Sequence, residues 1–207
     1  MKNTIKKAIL VELGMVLNGI GTAMFFSSGI GSASMATFCD GIHYLLHITQ
    51  GTANVLVNAI FFLILLIIGK EYIGIGTVLC AFTVGFWIDL FQPLFIMVID
   101  TYPSFFIKVF FSLCGSFSMG IGLGLYMAQN IGLGALEGIL DVICKRSYFS
   151  LRAAKILEDS TLVIAGILLD ASWGVGTLIG IFLTGPIMQI SYTFFTKMQI
   201  NETSSLK

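Results

Sequence analysis

The chain has 207 residues, 57% of them hydrophobic and 11% charged, with a mean hydropathy of +0.96. A soluble domain is nearer a quarter charged, so this chain carries more apolar surface than one water-soluble core can hide, and the excess must face lipid. Its 11 basic and 11 acidic residues balance to zero net charge, and no basic patch or stripe points to nucleic acid.

In chain order, Lys2, Lys6 and Lys7 precede a first apolar run over 8–27. Ser32-Ala33-Ser34 resembles a signal-cleavage site, but Glu12 inside the run argues for a retained span. A longer segment, 28–51, opens on Ser28-Gly29-Ile30-Gly31-Ser32. It continues with a helical pattern about 12 residues long, too short to cross a bilayer. Runs at 52–69 and 75–98 follow, joined by a tight turn from Gly69 to Gly74. A fourth run spans 105–128, and a second longer segment, 129–151, opens on Asn130-Ile131-Gly132-Leu133-Gly134. Runs at 154–170 and 174–195, again joined by a glycine turn, precede a cytoplasmic tail at 196–207.

The second half repeats the first. At a shift of 101, Gly19-Ile20-Gly21 falls on Gly120-Ile121-Gly122, Ile30-Gly31 on Ile131-Gly132, Asp40 on Asp141, Thr49 on Ser150 and Asn58 on Asp159. At a shift of 100, Gly74-Ile75-Gly76-Thr77 falls on Gly174-Val175-Gly176-Thr177, and Gly85 on Gly185. Three spans per half reverse the direction of the second copy. The expected fold is therefore an all-α membrane protein: six transmembrane helices as two inverted three-span repeats, about 8–98 and 105–195, each with a short extra helix, in a single membrane domain. With the N-terminus in the cytoplasm, ten of the 11 basic residues lie inside and only Lys108 lies outside. The positive-inside rule thus places both termini in the cytoplasm of a plasma membrane.

The Gly-rich first helix running into Ser28-Gly29-Ile30-Gly31, the turn Gly74-Ile75-Gly76-Thr77 leading to Gly85-Phe86-Trp87-Ile88-Asp89, and the matching Gly174-Val175-Gly176-Thr177 leading to Gly185 resemble the YczE/YitT-type family of bacterial integral membrane proteins. The resemblance implies a multi-pass plasma-membrane protein and no particular substrate. Members of that family often carry a Pro-Trp-Asp-like or Pro-Arg-Asp-like stretch after the first helix of each half. Here those places read Ser34-Met35-Ala36 and Ala135-Leu136-Glu137.

Asp89 lies deep in the third run, and a carboxylate in hydrocarbon is costly enough that it is expected to face the protein interior or water. Its repeat partner is Gln189, so the two are expected to form a polar pair; the plainer reading is a solvated residue near the outer interface. Asn54 and Asn58 lie one turn apart, which suits helix–helix hydrogen bonding. Glu158 and Asp159 follow Lys155, and Lys155 to Asp159 is an i,i+4 pair that suits a solvated cytoplasmic cluster as well as a site. Gly31 and Gly132 are expected where backbone packs closely or takes positive φ. Asp89, Gln189, Asn58, Asp159, Gly31 and Gly132 are accordingly the candidates for a substrate or ion pathway between the repeats.

Cys39, Asp40, His43 and His47 have a metal-like spacing, but only Asp40 has a like counterpart, and no metal or other cofactor is expected. No GxGxxG after a strand, P-loop, GxSxG or HExxH motif occurs, so the chain is not expected to be an enzyme. The favoured function is a transporter or exporter of a small molecule or ion, with the lipid bilayer as its constant partner and room for an oligomer. The alternatives are a non-transporting membrane scaffold or regulatory subunit and, third, an intramembrane metal-dependent enzyme.

Overall fold

A computed structural model describes residues 2–146 and 151–205. Among them are eight α-helices: α1 Lys2–Ser28, α2 Ser34–Leu46, α3 Gln50–Ile68, α4 Ile75–Thr101, α5 Phe105–Ala128, α6 Ala135–Arg146, α7 Leu151–Leu168 and α8 Val175–Ser205. One 3-10 turn, Lys70–Tyr72, joins α3 to α4. Five helices are long and apolar enough to cross a membrane: α1 over Thr4–Ser28, α3, α4, α5, and α8 over Val175–Ile200. The sixth expected span, α7, has the length but carries Arg152, Lys155, Glu158 and Asp159 in its first half. Helix α8 runs on to Ser205, so the segment expected as a tail from 196 begins as a continuation of the helix. The short helices expected after the first and fourth spans are α2 and α6.

Helices α4, α1, α5 and α8 pack side by side in that order, while α2, α3, α6 and α7 form a second group closed into a ring by α2–α3, α3–α6, α6–α7 and α2–α7 contacts. At the centre of the row α1 and α5 run antiparallel, since Gly14 meets Gly122 and Gly21 meets Gly115. A Cβ on Gly14 would stand 2.7 Å from the Gly122 carbonyl oxygen, and one on Gly21 2.5 Å from that of Gly115. Only glycine lets two helix backbones approach so closely.

Further contacts recur in pairs related by the sequence shift. Gly76 N–H donates to the Ile131 carbonyl, and Gly176 N–H to that of Ile30, both at 2.9 Å. The loop after α1 is thus clasped by the start of α8, and the loop after α5 by the start of α4. Gly31 and Gly132 take φ +101° and +127°, and a Cβ on either would collide with the Thr177 or Thr77 hydroxyl. The two acids Asp40 and Asp141 repeat the theme. Asp40 accepts from Ser172 N–H at 2.8 Å, and Asp141 accepts from the hydroxyl of Tyr72, the residue aligned with Ser172.

Candidate functional site

The ring of α2, α3, α6 and α7 holds a connected set of polar and charged side chains. On α3, the Asn58 side-chain amide donates to both the carbonyl and the Oδ1 of Asn54 at 3.0 Å. The buried Asn54 in turn points its amide at Cys39 Sγ, 3.7 Å away on α2. Under the shift of 101, Asn54 and Asn58 correspond to Lys155 and Asp159 on α7. There the same two positions hold an ion pair of 3.1 Å, and Lys155 also reaches Glu158 at 3.2 Å. One helical turn of spacing brings either pair together, so the repeat keeps the geometry and changes the chemistry.

Two side chains of other helices converge on α7. Ser34, the first residue of α2, donates its hydroxyl to Asp159 Oδ1. Helix α2 then follows α7 in the same direction, with Gly41 against Gly166 and Leu169. Glu137, in the first turn of α6, is near enough to interact electrostatically with both Lys155 and Glu158. Glu158 Oε2 is buried without a hydrogen-bond partner. Side-chain exposure falls from 47% at Lys155 to 22% at Asp159 and 13% at Glu158, so one part-exposed ammonium pairs with two acids largely withdrawn from solvent, and Glu137 adds a third negative charge at longer range. A buried acidic excess is costly unless compensated. Binding a cation or a proton compensates it.

Ser34 and Glu137 were not among the expected site residues, although both lie in the stretches where the resembled family is often polar. Glu12 was also missed. Its Oε1 accepts from Trp87 Nε1–H at 2.7 Å, joining α1 to α4, while Oε2 is buried without a hydrogen-bond partner.

The expected site residues separate. Asn58 and Asp159 lie in the ring, while Gly31 and Gly132 lie in the clasps. Asp89 has partners other than Gln189: its Oδ1 accepts from Gly51 N–H at 2.8 Å and its Oδ2 from the Thr49 hydroxyl at 2.6 Å, at the N-terminus of α3. Gln189 lies on an exposed face of α8 with Thr193 and Lys197. Ser150, aligned with Thr49, lies outside the described residues.

The metal-like cluster also diverges. Burial pushes the Cys39 thiol up to about 12, well above the range of a ready thiolate ligand. Asp40 accepts from Gln50, which in turn accepts from Gln92. His43 Nδ1–H donates to the Ile48 carbonyl, and His47 caps α2 at φ +53°. No three His, Cys, Asp or Glu side chains group as metal ligands among the described residues.

At the counterpart of Asp40, outside the spans, the Tyr72 hydroxyl and then Lys145 hold the Asp141 carboxyl below the usual carboxylate range. Lys145 lies 3.0 Å from Asp141 and donates to Tyr72, and these contacts push its ammonium up.

Long apolar helices, glycine-mediated helix contacts and irregular loops tucked against helix ends define an integral membrane protein of the α-helical class. Within that class, the chain belongs to the Family of unknown function (DUF6198), whose family model matches residues 5–193. It is similar to an uncharacterised membrane protein YczE of Bacillus subtilis, 24% identical over 183 residues that cover 86% of this chain and 81% of the relative. It is also similar to an uncharacterised protein of Haemophilus influenzae, 23% identical over 193 residues, covering 93% and 86% of the two chains. The YczE-type resemblance carried by the glycine motifs therefore holds. No solved structure matches.

Proposed function

We propose that the chain is a six-crossing transporter of the bacterial plasma membrane, built from two inverted repeats, that moves a small cation or a cationic small molecule through the ring of α2, α3, α6 and α7. The carrying observation is the set Lys155, Glu158, Asp159, Ser34 and Glu137, drawn from three helices of both halves, with three acids to one base among the described side chains. Transporter sites commonly lie between inverted repeats where helices are interrupted. The antiparallel α1–α5 contact and the reciprocal clasps support that arrangement. In it α7 is the sixth crossing, with its charged first half turned to the ring and its apolar second half, up to Leu168, continuing towards the outer side. Both termini lie in the cytoplasm.

The test is reconstitution into liposomes with a pH-sensitive dye inside and a panel of inorganic and organic cations outside. Cation-dependent flux in the parent protein, lost in Asp159→Asn and in Glu158→Gln without loss of folded protein, is the expected outcome. A well-folded parent with no flux and no cation-induced thermal shift overturns the transport reading and leaves the scaffold.

A further inference from the structure

We infer that Asp89 is a latch that closes the α3–α4 pair of the first half, and that the α7–α8 pair, which shows no such latch among the described residues, is the half that opens. The closure rests on geometry alone; its use as a gate rests on the transport reading above. Three residues of one helix start meet one helix face. Gly51 and Gly85 bring the backbones of α3 and α4 together, such that a Cβ on Gly51 would stand 2.1 Å from the Gly85 carbonyl oxygen and one on Gly85 2.3 Å from that of Gly51. Asp89, one turn beyond Gly85, then spans the gap with both oxygens, taking the Gly51 amide and the Thr49 hydroxyl. Thr49 is the N-cap of α3 and also accepts from Thr52 N–H, so the carboxylate completes the capping of a helix whose first amides have no intrahelical partner. A negative charge at that end is further favoured by the helix dipole.

The second half keeps the glycine on α8 and changes the latch positions. Arg152 aligns with Gly51, and Gln189 with Asp89. A Cβ on Gly185 would meet nothing within 4 Å, whereas one on Gly85 would strike backbone. Among the described residues, α7 and α8 share no interface comparable to that of α3 and α4, although α1–α4, α2–α3 and α2–α7 have counterparts in α5–α8, α6–α7 and α3–α6. The α3–α4 contact, which the described residues of α7 and α8 do not repeat, is the one whose latch residues differ. By the topology, α3 starts at the outer side and α7 at the cytoplasmic side, so the latched seam is the outer one and the open seam faces the cytoplasm.

The test uses two equivalent pairs of outward-facing positions, Leu56 with Phe82 and Leu157 with Phe182, all exposed. Spin labels attached through p-acetylphenylalanine at each pair, in the full chain in liposomes, report interhelix distances by double electron–electron resonance while leaving the native cysteines intact. The 56/82 distribution is expected to be short and narrow, and the 157/182 distribution longer and broader. Asp89→Leu should broaden the 56/82 distribution and move it outward, towards that of the other pair, and leave 157/182 unchanged. Asp89→Asn, which keeps the shape and one acceptor, should give a smaller shift of the same sign and serves if Asp89→Leu does not fold. An unchanged 56/82 distribution in the folded variants overturns the latch, whatever the flux. A shifted distribution in a protein that carries no cation in the parent form keeps the latch and overturns the transport reading instead.

Discussion

Gly31 and Gly132 are single positions where the backbone dictates the residue. Each needs positive φ, which costs a side-chain-bearing residue about 1–3 kcal/mol, and each has a threonine hydroxyl in the space of a Cβ. Gly29 has φ +62° but open space beside it, and Gly185 has open space in the middle of a helix. Alanine is therefore expected to destabilise most at positions 31 and 132, less at 29, and to be neutral or stabilising at 185, where helix propensity gains about 0.5–1 kcal/mol over glycine. Thermal unfolding in detergent reads this order, and a Gly185→Ala loss equal to that of Gly31→Ala counts against it. The clasp glycines were legible in the sequence because they recur in both halves. The partner of Asp89 was not: capping across 38 residues has no periodic signature, and the aligned Gln189 suggested a symmetric pair where the two halves differ. Ser34 was invisible for the same reason, since its hydroxyl matters only once α2 lies along α7.

At the scale of the element, composition and packing disagree about α7. Spans read from hydropathy are convincing where a helix faces lipid, as α8 does over most of its length. They weaken where a helix hides charge against its neighbours, as α7 does against α2 and α6. The run expected at 154–170 was short for that reason: the charged first turns belong to the same helix. The ion cluster yields a prediction about stability as well as flux. Lys155→Met removes the ammonium paired with Glu158 and Asp159 and is expected to destabilise, while Lys155→Met combined with Glu158→Gln and Asp159→Asn recovers much of that loss, because the uncompensated charges go with it. Half of the Lys155 side chain is exposed, so the loss falls well below that of a fully buried pair. A triple variant less stable than Lys155→Met, measured by chemical unfolding, argues that the three side chains are held by hydrogen bonds and shape rather than by charge balance.

At the scale of the whole molecule, two arrangements of the same helices differ in one observable. If the halves are inverted, the C-terminal ends of α2 and α6 lie on opposite sides of the bilayer, because α1 and α5 lead into them in opposite directions. The charge distribution agrees: α6 ends in Lys145 and Arg146, whereas α2 ends without lysine or arginine. Basic residues tend to be retained on the cytoplasmic side, so the charge asymmetry is the one expected if α2 and α6 end on opposite sides. His47 and Lys145 are exposed near these two ends. In intact cells, His47→Cys is expected to react with a membrane-impermeant maleimide, and Lys145→Cys only after permeabilisation. The parent protein sets the background from Cys80, Cys114 and Cys144, each partly accessible. Reaction of both variants from the same side, above that background, would place α2 and α6 on one face, and the clasp pairs would then need an explanation other than a two-fold axis in the membrane plane.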